Sequence, residues 1–310
     1  MVKRMLQMTE RFITNPEIRF NYLAKFGLFN KWSDERFIKK KYNLVTGEKL
    51  DLENPMSFNE KLQWLKLYDR QVVYTTMVDK YAVKEWVAAK IGKEYIIPTL
   101  GVWEHFDEID FCRLPNQFVL KCTHDSGGIV IVTKKADMDK KAAKRKLERS
   151  LKCNYYYLGR EWPYKNVPPR IIAEEYLMDE SRKELKDYKI FCFNGEPKLI
   201  EVDFGRFDVH KRNLYTTDWK YLDASIKYPQ DNNTKIPRPL KLDKMLEVAK
   251  ILSKGVPHVR VDLYSIKEQI YFGEITLHHG SGMEKFTPRE LEFQMGNWLI
   301  LPKYSGKIQI

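Results

Sequence analysis

The segment HVRVDLY, residues 258–264, alternates so that Val259, Val261 and Leu263 share one face of a strand and Arg260, Asp262 and Tyr264 the other. A second strand, IYFGEITL, follows across a turn at Ser265–Gln269. With that turn centred on Glu268, Asp262 lies directly opposite Glu274, since both are six residues from it. Facing residues have Cβ atoms about 5 Å apart, and like charges there repel. A divalent cation with oxygen ligands offsets such repulsion, and Mg²⁺ is the usual one beside phosphates. On this reading, removing either carboxylate leaves the metal-free protein as stable or slightly more stable. The plainer alternative pairs one carboxylate with Arg260 and leaves the other to solvent.

Two further constellations carry potential chemistry. Phe118-Val119-Leu120-Lys121 runs into Thr123-His124-Asp125-Ser126-Gly127-Gly128. A strand that ends in lysine before a Gly-Gly loop offers one cation and several backbone amides, a combination that can cradle phosphates. The lysine precedes the glycines and no helix follows, so this is not a P-loop. The alternative is a hairpin turn in which glycine supplies positive φ, and His124 reads as a loop residue. The third is Ile171-Ile172-Ala173-Glu174-Glu175-Tyr176-Leu177, an apolar strand ending in carboxylates and an aromatic ring. It reads as edge structure, or as a hinge whose backbone and first glutamate meet an adenine edge.

The surrounding elements are α+β. Pro55 precedes Ser57-Phe58-Asn59-Glu60, a capping-box spacing that starts a helix through Leu62, Trp64, Leu65 and Leu67. A second helix runs from Asp79 to about Ile91, with Gly92 where a left-handed cap is wanted. After Pro98 come the strands QFVLKC and IVIVT, a basic helix from about Asp139, an aromatic loop (NYYYLGREWPY) and a strand, Arg170–Tyr176. YKIFCF and KLIEVDF flank an Asn194-Gly195 turn, a strong hairpin signal. Arg206–Pro239 is polar and turn-rich, and an amphipathic helix, Leu242–Lys254, ends at Gly255. Helices first, then hairpins mixed with helices, imply mainly antiparallel sheets.

Composition sets the bounds. The 310 residues are 43% hydrophobic with seven tryptophans, enough for a core, and the pattern is not that of a disordered chain. No apolar run approaches the roughly 18–20 residues of a membrane span. The N-terminus lacks a signal-peptide pattern. Cys112, Cys122, Cys153 and Cys192 show no metal-like spacing and fit reduced thiols in a soluble cytoplasmic protein. The net charge of +12 favours an anionic partner: nucleic acid, anionic lipid, or an acidic small molecule or polymer. That charge is diffuse and no nucleic-acid-binding signature accompanies it, which argues against nucleic acid.

Taken in order, these elements resemble the ATP-grasp superfamily, in which two α+β lobes grip ATP. The resemblance implies a first lobe at 75–185 and a second at 186–310, behind an N-terminal helical segment at 1–74. Lys80, at the head of the second helix, resembles the family's first phosphate-side lysine. Lys121 resembles the second, and the loop with Ser126, Gly127 and Gly128 the flexible glycine loop. Glu174, Glu175, Tyr176 and Leu177 resemble the adenine hinge. Lys189, on the first strand of the second lobe, would hold phosphate oxygens, although it also reads as a solvated strand lysine. Asp262 and Glu274 resemble the Mg²⁺ ligands, and Arg260 the residue that steadies the acylphosphate. Thr276 stands where the family usually has Asn.

Glu-Ile-Thr with His278-His279-Gly280-Ser281-Gly282, PMSFNEKLQWLKLYDR upstream and DYKIFCFNGEP between are similar to the TupA-like ATP-grasp family of bacterial surface-polysaccharide gene clusters. That family implies an ATP- and Mg²⁺-dependent carboxylate–amine ligase. Its substrates would be an acidic molecule, such as a uronic-acid glycan or its precursor, and an amine, an amino acid or amino alcohol. Peripheral association with polysaccharide-assembly enzymes is a further expectation. The rival is a glycosyltransferase using a nucleotide sugar, for which Asp137-Met138-Asp139 supplies the letters Asp-x-Asp. The run KKAAKRKLERSLK follows at once, so these residues read better as helix caps.

Overall fold

The computed structural model describes residues 12–179, 185–205 and 210–303. The start of the expected N-terminal segment, residues 1–11, and residues 206–209 of the polar stretch lie outside the described residues. So do residues 180–184, beside the expected lobe boundary, and residues 304–310.

Five helices open the described chain: α1 (Pro16–Lys25), α2 (Asp34–Thr46), α3 (Phe58–Tyr68), α4 (Val72–Val78) and α5 (Ala82–Ile91). The capping box at α3 is complete: Ser57 Oγ accepts from the Glu60 N–H at 3.2 Å, and the Glu60 carboxylate accepts from the Ser57 N–H at 2.9 Å. Asp79 closes a turn ahead of α5, accepting from the Tyr81 N–H at 2.9 Å, and α5 itself has no side-chain cap. Gly92 ends α5 differently from the expected left-handed cap. Its φ of 109° and ψ of 156° send the chain straight into extended structure, a conformation open to glycine because it has no Cβ.

The smaller sheet contains β1 (Thr99–Trp103), β2 (Phe118–Cys122), β3 (Ile129–Val132) and β4 (Ile171–Glu175), in the order β1-β4-β2-β3 with antiparallel pairing throughout. β1 was not anticipated. Helix α6 (Lys140–Leu151) covers the sheet, with Ala143 and Leu147 buried against Phe118, Leu120 and Ala173. The single turn α7 (Tyr156–Gly159) follows.

The larger sheet has the order β11-β10-β5-β6-β7-β8, again antiparallel. Its strands are β5 (Asp187–Phe193), β6 (Glu196–Phe204), β7 (Lys211–Tyr215), β8 (Tyr221–Leu222), β10 (His258–Ile266) and β11 (Gln269–Thr276). Two short strands, β9 (Ser225–Ile226) and β12 (Phe286–Thr287), pair separately. The stretch read as merely polar therefore supplies β7 to β9.

One face of the larger sheet packs Ile190, Val202, Val259 and Val261 on α8 (Leu242–Ser253). The other face changes character along the strands. Phe191, Phe193, Leu199 and Leu214 pack on α3 and on α9 (Glu290–Trp298). The next residues of the same alternation are charged: Asp187 and Lys189 on β5, Glu201 and Asp203 on β6, Arg212 on β7, Asp262 on β10. Since side chains alternate with period two, these charges share one face by register.

The N-terminal helices pack Phe20, Ala24 and Phe37 together with Phe29 and Trp32. Arg160, 1% exposed, ties them to the rest by donating to the Phe29 carbonyl at 2.6 Å while lying over the Phe37 ring. Asp34 completes the tie through Arg70 at 2.6 Å and the Tyr156 hydroxyl at 2.5 Å.

Candidate active site

The charged half of the larger sheet floors a cleft of about 630 Å³. Lys80, Ser126, Lys189, Arg260, Glu274 and Thr276 all line it. How the β10–β11 hairpin sets this up differs from the sequence expectation. The turn is Lys267-Glu268, both at positive φ, and it pairs Ile266 with Gln269. Continued without interruption, that register would set Asp262 against Gly273. A bulge between Asp262 and Leu263 shifts it by one, and Asp262 faces Glu274. The expected pairing is present, and a bulge produces it in place of a turn centred on Glu268.

Arg260 lies at the centre of this face. Its Nε and Nη2 each donate to Asp262 at 2.7 Å, and Nη2 also reaches Glu274 at 3.4 Å and Thr276 Oγ1 at 3.1 Å. Lys189 Nζ donates to Asp262 at 2.7 Å and to Asp187. Lys189 is only 5% exposed, so it is no solvated strand lysine. Asp262 holds the Arg260 guanidinium well above its ordinary value despite burial. Partial burial works against ionising Glu274, whose side chain still reaches solvent, but Lys80, Arg260 and Lys189 outweigh it and keep that carboxyl below its usual range.

The donor set fits a divalent cation. Asp262, Glu274 and Thr276 turn oxygens toward one point, and a positively charged nitrogen, Arg260 Nη2, already sits within 3.4 Å of all three. Among the described residues no three His, Cys, Asp or Glu side chains are grouped to hold a metal as they stand. A cation held among these oxygens would take the place that Arg260 Nη2 occupies.

Behind Arg260 lies a positioning chain that no motif announced. Arg260 Nη1 donates to His279 Nδ1 at 2.7 Å, and His279 Nε2 lies 2.9 Å from Glu284. Burial drops His279 to about 4, so at neutral pH the ring is uncharged. The ring proton then sits on Nε2, 2.9 Å from Glu284, and Nδ1 is left as the acceptor that Arg260 needs. Lys227 at 3.0 Å and Arg212 at 3.5 Å hold Glu284 in turn.

The glycine loop is fastened to α6. Asp125 accepts from the Gly128 N–H at 3.1 Å and from the Ser150 hydroxyl, and its carbonyl accepts from Lys80 Nζ. His124 Nε2 contacts the Ser150 and Cys153 carbonyls at 3.1 and 3.2 Å. Neither Gly127 nor Gly128 has positive φ, so a turn requirement does not explain them. At Gly128 the reason is space: a Cβ would lie 2.6 Å from Ser150 Oγ and 2.7 Å from Cys122 Sγ.

A second cluster lies on the small sheet. Glu174, 5% exposed, sits between Lys121 at 2.5 Å and Lys84. Burial alone would raise its pKa, and the two lysines together bring it below the ordinary value. Lys84 also donates to the Ile97 carbonyl at 2.7 Å. The Glu175 N–H donates to Pro98 at 3.2 Å, and Tyr176 and Leu177 follow half-buried. Lys84 was missed, although it lies in the first turn of α5, four residues after Lys80. The charged row Asp187, Glu201, Asp203 and Arg212 was also missed, and alternation within apolar strands was its signal. Asp139, by contrast, caps α6 through the Ala142 N–H at 2.9 Å, and Asp137 pairs with Lys134 at the surface.

The family profile described as TupA-like ATPgrasp matches residues 60–300. The chain belongs to the TupA-like ATP-grasp family. Its fold is accordingly the ATP-grasp fold, mixed α+β with antiparallel sheets. Solved structures similar to it include the D-alanine–D-alanine ligase of Bacillus anthracis complexed with ATP, at 14% identity and TM-score 0.38, covering 65% of this chain and 54% of that one. The Helicobacter pylori enzyme gives 16% and 0.38 over 78% and 69%. An ADP complex of N5-carboxyaminoimidazole ribonucleotide synthetase gives 14% and 0.43 over 77% and 56%. The match thus spans about half the length of the first of these ligases. Among curated proteins no sequence match is found. No helix among the described residues of this family member is long and apolar enough to cross a membrane.

Proposed function

We propose that this TupA-like protein is an ADP-forming carboxylate–amine ligase that works through an acylphosphate. The observation that carries the reading is one cleft in which Lys80, Lys189 and Arg260 converge on the facing pair Asp262 and Glu274. In such a reaction a substrate carboxylate oxygen bonds to the γ-phosphorus and ADP departs with the bridging oxygen. The amine then attacks the acyl carbon, phosphate leaves, and the nitrogen gives up a proton. Mg²⁺, when bound, supplies charge neutralisation across the phosphates, and Asp262 and Glu274, with Thr276 beside them, would hold it. Lys80, Lys121 and Lys189 hold phosphate oxygens, and the backbone around Ser126, Gly127 and Gly128 covers them. Glu174, with Glu175, Tyr176 and Leu177, receives the adenine. Arg260, oriented by neutral His279, faces the acyl oxygen where negative charge develops.

The acid substrate is an anionic glycan or its precursor, of uronic-acid type, in bacterial capsule or surface-polysaccharide assembly in the cytoplasm. Beyond the phosphate end the cleft is lined by Lys41, Lys227, Lys285, Tyr155, Tyr164 and Tyr228, cations and aromatic rings suited to an acidic sugar. The test is ADP and phosphate release screened over uronic acids paired with amino acids or amino alcohols. Release that needs both an acid and an amine is expected. Stabilisation by UDP-type ligands with none by Mg-ATP would overturn the reading in favour of a glycosyltransferase.

A further inference from the structure

Helix α1 has two unlike sides. Inward, Phe20 and Ala24 are buried, and Glu17 and Asn21 line the cleft. Outward, Ile18, Tyr22 and Phe26 repeat every four residues along one side, and Ile13 and Leu28 extend the stripe at its two ends. Phe26 is 65% exposed and Leu28 60%, although both are large and apolar. The rings are ordered among themselves, Tyr22 lying 4.8 Å from Phe26 and 5.4 Å from Phe12. From Ile18 to Ser33 the sequence has no acidic residue, while Arg19, Lys25 and Lys31 are interleaved with the apolar positions. Lys25 and Lys31 are exposed. Nearby Asp34 is spent on Arg70, and Glu35 is paired with Lys39 at 2.6 Å.

An exposed apolar stripe of this extent marks an interaction surface, and its charge selects the occupant. A second copy docked on a two-fold axis would set this acid-free, lysine-bearing face against itself. A negatively charged lipid surface complements it. Aromatic rings favour the headgroup boundary, and lysines beside an interfacial helix reach the anionic headgroups.

We propose that α1 and the turn through Lys31 dock this protein on an anionic membrane surface. Ile18, Tyr22, Phe26 and Leu28 enter the acyl boundary, and Lys25 and Lys31 meet the headgroups. Because Glu17 and Asn21 of the same helix line the cleft, docking brings its acceptor end to about one helix diameter, ~10 Å, from the lipid. An acceptor carried on a lipid is then within reach. The inference stands apart from the reaction proposed above, and its test reads binding, not turnover.

The experiment is co-sedimentation of the full chain with vesicles of phosphatidylcholine, alone or with phosphatidylglycerol. Association with the anionic vesicles at least tenfold above the neutral ones, weakening as salt rises, is expected. Tyr22→Ser/Phe26→Ser should reduce it at least tenfold, and Lys25→Glu/Lys31→Glu should remove its salt dependence. Both variants should keep the parent's melting shift with Mg-ATP, which shows them folded, and Phe26→Ser alone serves if the double variant melts early. No association with anionic vesicles, or association that both stripe variants retain, overturns the proposal. So does self-association in lipid-free buffer that Phe26→Ser abolishes, which would assign the stripe to a second copy. Binding gained only on removing residues 1–11 would assign it to that segment.

Discussion

Replacing Asp262 by Asn separates the part this carboxylate plays in the metal-free protein from its part in the reaction. Asp262 is 1% exposed and receives three charge-assisted hydrogen bonds at 2.7 Å, two from Arg260 and one from Lys189. The amide keeps one acceptor oxygen but leaves two buried cations short of a negative partner. Breaking a buried ion pair from one side costs about 3–5 kcal/mol, and the retained acceptor argues for the lower end, ~3 kcal/mol. At about 2 °C per kcal/mol for a chain of this size, the melting temperature should fall by roughly 6 °C.

Glu274→Gln is the contrast. That side chain is 42% exposed and its one contact to Arg260 is long, 3.4 Å, so solvent screening leaves ~0.5 kcal/mol or less. Both variants should lose ATP turnover, and calorimetric melting of the apo proteins should divide them. Two opposed, uncompensated carboxylates predict no loss from either change. An Asp262→Asn protein that melts at or above the parent would refute the buried ion-pair account.

Three further outcomes follow from particular contacts. Gly128→Ala drives a methyl to within 2.7 Å of Ser150 Oγ and Cys122 Sγ and should cost about 1–3 kcal/mol in urea unfolding. Gly127→Ala, with nothing within 4 Å of the new Cβ, should be near neutral. Lys121→Met leaves buried Glu174 with Lys84 alone and removes a cation proposed to hold phosphate. ADP affinity by titration calorimetry should fall about tenfold or more, the size of one charge-assisted bond.

The third concerns pH. Folding depresses His279 from 6.5 to about 4, so its contribution is intact above pH 6.5 and is lost as pH falls toward 4. By pH 5 that is about 2 kcal/mol, from 1.5 units at 1.36 kcal/mol each. Gln at this position can still accept from Arg260 but cannot titrate. The drop in unfolding free energy between pH 7 and pH 5 should therefore be about 2 kcal/mol smaller in His279→Gln.

Local signals read well where the cause is local. The capping box at Ser57 and Glu60 and the hairpin around Asn194-Gly195 each depend on a few adjacent residues, and the structure has both. The family was legible because several weak motifs came in a fixed order. Strands β7 to β9 were not, since KRNLY carries little alternation and β7 is held by pairing with β6 and by Arg212 reaching Asp203 at 2.8 Å. Lys84 escaped because its partner, Glu174, is 90 residues away in sequence. The His279–Glu284 chain escaped for a similar reason: it acquires meaning only once the fold delivers Arg260 to it.

The one-residue shift in the β10–β11 hairpin sets how the cleft tolerates changes in chain length. Strand pairing counts residues in pairs, so the bulge works as a phase shifter between the turn and the site. Gly273 is the extra residue, so removing it would delete the bulge, keep every backbone pair and leave Glu274 opposite Asp262 on the cleft side, with Ile275 still beside Val261 on the α8 side. Among chains that share this hairpin, a one-residue difference at this point should therefore leave the carboxylate pair in place. The Gly273 position itself tolerates little, because a Cβ there would stand 3.1 Å from the Asp262 carbonyl oxygen.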